Sequence, residues 1–238
     1  MLLKRKLILQ LLPVYVLVLA GVIALTAVCE RTIETMSPMI REERHTVIID
    51  PGHGGVDGGA TSCTGVLESN LNLEIALRLN DMMRLLGIQT LMIRDSDMSV
   101  YTEGETIAQK KVSDLKQRVR VINQTNKGIL ISIHQNTFSE EKYWGTQVFY
   151  ANTDGSRELA EQIQGRIKTI LSPGNHRKIK KSEGVYLIEK VLCPAVLVEC
   201  GFLSNPEEEA LLRDPTYQKK LCSVIAIACS QYLSDGNI

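Results

Sequence analysis

His45-Thr46-Val47-Ile48-Ile49-Asp50-Pro51-Gly52-His53-Gly54-Gly55 decides the fold. Its first half, His45 to Asp50, is β-branched and apolar and reads as a buried strand. Its second half opens a glycine-rich loop, Pro51 to Gly65, that carries His53. Open α/β sheets bind ligands beyond the carboxyl ends of their strands. The glycines let the backbone turn sharply and leave space around the imidazole.

Downstream of the loop, Leu71, Ile75, Leu79, Met82 and Leu86 recur every three or four residues. That spacing predicts an amphipathic helix from about Glu68, stopped by Gly87. Ile88 to Ile93 reads as a strand and Arg94 to Lys111 as a polar surface loop. Ser113-Asp114 reads as the start of a helix ending near Asn126. Gly128 to His134, Thr146 to Tyr150, Val185 to Ile188 and Ala195 to Cys200 read as strands. Between them, Gly155 to Leu171 is helical, with Leu159, Ile163, Ile167 and Ile170 in register. Asn205-Pro206-Glu207 is a strong helix start, with Asn capping, Pro in the first turn and acids behind. Pro215 to Leu233 supplies a last helix. Strands separated by helices predict an α/β fold: a mostly parallel or mixed sheet flanked by helices on both faces.

The same fold is expected to be preceded by one N-terminal membrane-spanning helix. Lys4-Arg5-Lys6 is followed by Leu7 to Val28, 22 residues without a charge. At ~1.5 Å rise per residue, this run is long enough to cross a bilayer. The basic residues before it should stay in the cytoplasm, with everything after Val28 outside. The run is longer than a signal peptide core of ~7–15 residues, and Leu25-Thr26-Ala27 is a poor cleavage site. An anchor is therefore favoured over a cleaved signal. The expected organisation is 1–28 membrane segment, 29–44 polar linker and 45–238 catalytic domain.

Composition narrows the function classes. Over 238 residues, hydrophobic residues make up 44% and charged residues 23%, which is globular rather than disordered. Lys+Arg and Asp+Glu are 27 each, so no basic excess points to nucleic acid. Six cysteines contain no C-x-x-C pair, which excludes a zinc ribbon or a thioredoxin-like motif. Cys222 and Cys229 share a helix face too far apart to bond each other.

Four polar residues sit where apolar runs end. His53 follows the first strand. His134, in Ile131-Ser132-Ile133-His134-Gln135-Asn136, ends another. The chain has only four histidines, and two of them stand at strand ends. His45 and His176 lack that placement. Glu68 lies at the helix start after the first loop, where the helix dipole alone would also favour an acid. Glu199 ends the apolar run Val196-Leu197-Val198, where a carboxylate is costly to desolvate unless it binds something. It is the best single candidate for an acid/base residue. Two imidazoles and a carboxylate are the ligand set of hydrolytic zinc, with a fourth position left for water.

The motifs resemble those of the zinc-dependent N-acetylmuramoyl-L-alanine amidases of the Amidase_3 type, in family order. Ile49 to Gly55 is similar to the opening motif, and Glu68 with Asn70-Leu71-Asn72-Leu73 to E-x-x-x-N-L, slightly offset. Arg94-Asp95-Ser96-Asp97 resembles T-R-x-x-D with Ile93 for Thr. Leu115 to Asn123, with Arg118, resembles L-x-x-R-x-x-x-A-N with Ile122 for Ala. Ser132-Ile133-His134-Gln135-Asn136 and Val198 to Asn205 resemble S-I-H-x-N and V-E-x-G-F-L-S-N. The resemblance covers nearly all of the domain from Thr46 to Leu233.

This resemblance implies that His53, Glu68 and His134 bind one Zn²⁺ and that Glu199 is the catalytic acid/base. It implies a peptidoglycan substrate, cut at the amide between the lactyl group of N-acetylmuramic acid and L-alanine. A membrane segment, one such domain and no wall-binding repeat resemble the germination-specific amidases of the spore cortex. Only eleven residues separate His134 from Thr146, which leaves no clear inserted autoinhibitory helix. Control then falls to a protein activator or to the timing of expression. The alternatives are another zinc hydrolase of the wall, a peptidase or deacetylase, and a non-catalytic wall-binding protein.

Overall fold

Val47 and Ile49 point into one buried cluster and Ile48 into another, because successive strand residues face opposite sides of a sheet. The same split divides Ile129, Ile131 and Ile133 from Leu130, and Val196 and Val198 from Leu197. These strands read as continuous apolar runs because both faces are covered. Burying each such side chain stabilises the fold by ~1.5–3 kcal/mol.

The computed structural model describes residue 13, residues 16–27 and residues 44–236. The chain divides into two units, Met1–Arg44 and His45–Ile238. In the first, residues 16–27 are helical with exposed side chains. Among the described residues no helix is long and apolar enough to cross a membrane. Much of the expected span, Leu7 to Val28, and nearly all of the linker 29–44 lie outside the described residues.

In the second unit the elements are β1 (Thr46–Pro51), α1 (Glu68–Leu85), β2 (Gln89–Met92), α2 (Ile107–Gln124), β3 (Gly128–Asn136) and β4 (Gln147–Tyr150). They continue as α3 (Ser156–Arg166), which runs into a π-helical turn (Ile167–Leu171), then β5 (Lys180–Lys181), α4 (Tyr186–Lys190), β6 (Ala195–Phe202), α5 (Pro206–Arg213) and α6 (Pro215–Ser234). The strands form one sheet in the order β2-β1-β3-β6-β4-β5. The first four are mutually parallel, and β4 runs antiparallel to β6. Helices α1, α3 and α6 pack together on one face, and α2 and α4 pair with each other on the other side. The sheet is therefore mixed and covered on both faces.

The helix boundaries follow local chemistry. Asn205 accepts from the N–H groups of Glu207 and Glu208, and Asp214 accepts from that of Thr216. Gly87, at φ 75°, ends α1 in the left-handed conformation. The buried stripe of α1 runs through Leu71, Ile75, Leu79 and Met83, and leaves Leu86 half exposed. Cys222 and Cys229 are buried in α6, and the five cysteines among the described residues are free.

Two expectations are corrected. Helix α2 starts at Ile107, not Ser113, because Thr106 and Gln109 form a reciprocal capping box. Ser113 and Asp114 look like a helix start, yet their side chains hold the preceding loop. Ser113 Oγ accepts from the N–H of Thr102 and Glu103, and Asp114 accepts from that of Val100. The run Val185 to Ile188 is not a strand but mostly the short helix α4. Four apolar residues are too few for periodicity to tell the two apart.

Candidate metal centre

Three parallel strands deliver the site at their carboxyl ends. β1 runs into the loop that carries His53, β3 carries His134 near its carboxyl end, and β6 places Glu199 directly beside His134. Glu68 is the first residue of α1, immediately after the glycine loop. The side chains of His53, Glu68 and His134 converge, with one donor atom from each within 4.8 Å of the others.

Glu68 stands between the two imidazoles. Its Oε2 lies 3.2 Å from His53 Nε2 and its Oε1 lies 3.0 Å from His134 Nδ1. The two rings are 5.0 Å apart at 73°. Backbone N–H groups fix the carboxylate as well: Ala60 donates to Oε2 at 2.9 Å and Gln135 to Oε1 at 3.2 Å. Burial opposes the charge on Glu68. Hydrogen bonds and attraction from His134 and His53 outweigh it and hold the carboxyl well below its ordinary range.

His53 sits in the left-handed region at φ 61°, an uncommon conformation for a non-glycine residue. Its Nδ1 is 2.9 Å from Asp57 Oδ2, which leaves Nε2 facing Glu68. Asp57 is itself held by Lys111 at 2.6 Å and by the Gly59 N–H at 3.2 Å. Burial pushes the His53 imidazole down, but Glu68 and Asp57 together raise it to about 8. The loop packs tightly here. A Cβ on Gly52 would overlap Cε1 and Nε2 of His134.

Glu199 differs from Glu68. Its Oε2 is buried and has no hydrogen-bond partner among the described residues. Burial raises the carboxyl to about 7, reinforced by the charge of Glu68 and opposed by His134 and His53. An unpaired buried carboxylate oxygen is costly, which sets Glu199 apart from the other acids around the donor cluster.

Beneath the site two arginines hold the loop. Arg118 contacts Asp50 at 2.5 Å and Asp114 at 2.6 Å, and donates to the carbonyls of Pro51 and His53 at 3.0 and 2.7 Å. Ser132 donates to the other Asp50 oxygen at 2.6 Å. Arg94 donates to the carbonyls of Pro51, Gly52 and Ser69. Arg94 is only 3% exposed, so the stretch it opens is not all surface loop, and its first residue is part of the site's foundation.

The four candidate site residues are thus brought together, while His45 precedes β1 at its opposite end. Asp57 was not singled out by the sequence. The available signal was an acid four residues after a loop histidine. Lys111 carried none, since its role depends on how α2 crosses the loop.

The N-acetylmuramoyl-L-alanine amidase model Amidase_3 matches residues 47–231. The germination-specific N-acetylmuramoyl-L-alanine amidase of Bacillus subtilis is 38% identical over 191 residues, which covers 79% of this chain and 80% of that protein. The CwlD amidase of Clostridioides difficile, solved in complex with the GerS lipoprotein, superimposes with a TM-score of 0.77 at 38% identity and covers 81% of this chain and 100% of that one. An N-acetylmuramoyl-L-alanine amidase from Clostridium difficile 630 gives 0.70 at 33% identity, over 80% of this chain and 97% of that one. With its motifs, mixed sheet and strand-end cluster, the chain belongs to the Amidase_3 family of N-acetylmuramoyl-L-alanine amidases.

Proposed function

We propose that this chain is a zinc-dependent amidase that hydrolyses the bond between the lactyl group of N-acetylmuramic acid and L-alanine in peptidoglycan. The observation that carries it is the convergence of His53, Glu68 and His134 beside an unpaired Glu199 oxygen. Two imidazoles and one carboxylate fit Zn²⁺ by donor type, and Asp57 behind His53 is the usual outer partner of a ligating histidine. Bound zinc would supply a Lewis acid and lower the pKa of a water in its open position.

The protein's own residues then divide the proton work. Glu199, ionised, takes a proton from the attacking water as its oxygen adds to the amide carbonyl. It returns that proton to the alanine nitrogen as the C–N bond breaks, leaving a lactyl carboxylate and a free amine. A carboxyl raised to about 7 is suited to both halves of that transfer near neutral pH. Asp57 fixes the ring of His53, and the Arg94 and Arg118 contacts fix the backbone of Pro51 to His53.

We assign residues 7–28 to a membrane span with the basic residues Lys4 to Lys6 inside, residues 29–44 to a tether, and 45–238 to a catalytic domain outside, where peptidoglycan lies. Likeness to the germination-specific relative favours spore cortex as the substrate, and likeness to the lipoprotein-bound amidase favours a protein activator.

The test is bound zinc per chain, followed by incubation with purified peptidoglycan and assay of new N-terminal alanine with and without a chelator. Chelator-sensitive release from a one-zinc protein is expected. Free acetate without new alanine would instead make the protein a deacetylase.

A further inference from the structure

A cavity of about 330 Å³ opens from His53 and His134 toward α2 and α4. Its walls include Val56, Leu115, Val185, Leu187 and Leu197, and Lys110 and Lys111 line it as well. Three acids also line it, and each is committed. Asp50 is bound by Arg118 and Ser132, Asp114 by Arg118 and the Val100 N–H, and Asp57 by Lys111 and His53.

Lys110 is left over. Its ammonium has no carboxylate partner among the described residues and lies 5.3 Å from the centre of the Tyr101 ring. Asp114, one helical turn along, is the natural i,i+4 partner but is already engaged. Lys110 is only partly exposed, so its charge is less screened than a surface lysine's.

The geometry points to this cavity as the subsite for the acidic peptide arm of the substrate, with Lys110 selecting its carboxylate. The inference rests on the amidase reading above. The arm begins at the scissile nitrogen with alanine, whose methyl suits an apolar wall. The next residue in such stems is a glutamate linked through its side chain, so its α-carboxylate is free within one residue of the cut. At about 330 Å³ the cavity lies at the small end of ligand pockets, roughly 300–1,000 Å³, and suits a short peptide better than a glycan strand.

The test uses the zinc-supplemented full chain and two soluble muropeptides that differ only in that carboxyl, free or amidated. Wild type should prefer the free acid by about tenfold in kcat/KM, the scale of one charge-assisted contact. Lys110→Met should bring the ratio close to one, and Lys110→Arg should restore part of the preference. Unchanged zinc content and circular dichroism would show that the variants are folded. A wild-type ratio of one, or a Lys110→Met ratio equal to wild type's, overturns the subsite. Failure to release alanine from either substrate overturns the amidase reading itself, and the subsite with it.

Discussion

His134 on β3 stands in register with Glu199 on β6, so one strand pair carries a candidate metal ligand and the candidate proton carrier side by side. The pairing predicts separable losses. Glu199→Gln keeps the shape and should leave zinc near stoichiometric while lowering kcat by about 10²–10⁴. His134→Ala should lose zinc and activity together. Metal analysis beside the alanine-release assay separates the two, and a Glu199→Gln enzyme of normal rate would remove Glu199 from the proton transfer.

The raised Glu199 carboxyl also predicts a pH-dependent stability. A carboxyl at about 7 when folded, against an ordinary 4.5, favours the folded state while protonated. That contribution is present in full below 4.5 and is lost as pH rises through 7. Glu199→Gln removes the loss, which is on the order of 3 kcal/mol from the size of the shift. In metal-free protein the variant should therefore melt several degrees above wild type at pH 8 and close to it at pH 4. Equal melting temperatures at pH 8 would mean that the carboxyl titrates normally.

Asp57 predicts a different pattern, in which metal affinity falls and the fold stays. It holds His53 Nδ1 at 2.9 Å and is partly exposed, so its loss opens no large cavity. Asp57→Ala should weaken zinc binding by about 10–100-fold, the usual effect of removing such a partner. Competition with a chromogenic chelator measures this. An unchanged affinity would show that the loop alone orients His53.

Much of this layout was legible in the sequence, for identifiable reasons. Strands β1, β3 and β6 are buried on both faces, so they appear as unbroken apolar runs, and the polar residues ending them stand out. The foundation was less legible. Arg94 and Arg118 stand in motifs shared with the family, but nothing in their polar stretches says what they do, and only the fold shows that both serve backbone carbonyls of the same loop. The start of helix α2 is hidden because Ser113 and Asp114 carry cap-like side chains that are used for tertiary contacts. The lysine left over beside the cavity emerges only after the ion pairs of its neighbours are known.

Arg118 predicts a large stability cost. It is 2% exposed and joins Asp50 to Asp114 beneath the loop. Arg118→Met leaves Asp50 charged, buried and short of a partner. Breaking a buried pair in this way costs about 3–5 kcal/mol. Arg118→Lys has too few donors in the right plane to reach both acids and two carbonyls, and should recover only part of the loss. Denaturant unfolding of the metal-free domain checks this, and a loss below about 1 kcal/mol for Arg118→Met would place the loop's support elsewhere, with Arg94 the first residue to test.

Gly52 tests the tightness of the site without replacing any candidate ligand side chain. Its carbonyl accepts from Arg94 and Asn72, and its α-carbon faces the imidazole of His134 closely enough that a Cβ would overlap the ring. The backbone there lies outside the left-handed region, so alanine itself adds no strain beyond that overlap. The added methyl can be relieved only by moving His134 or by displacing a loop pinned by two arginines. The ring is the softer element, since it is 20% exposed and not fully enclosed. Gly52→Ala should therefore keep the domain folded, with an ordinary circular dichroism spectrum, while zinc affinity and alanine release both fall at least tenfold. A variant that binds zinc as wild type does would show that the ring or the loop yields without disturbing the candidate metal centre, and the close approach of Gly52 would then have no part in holding His134.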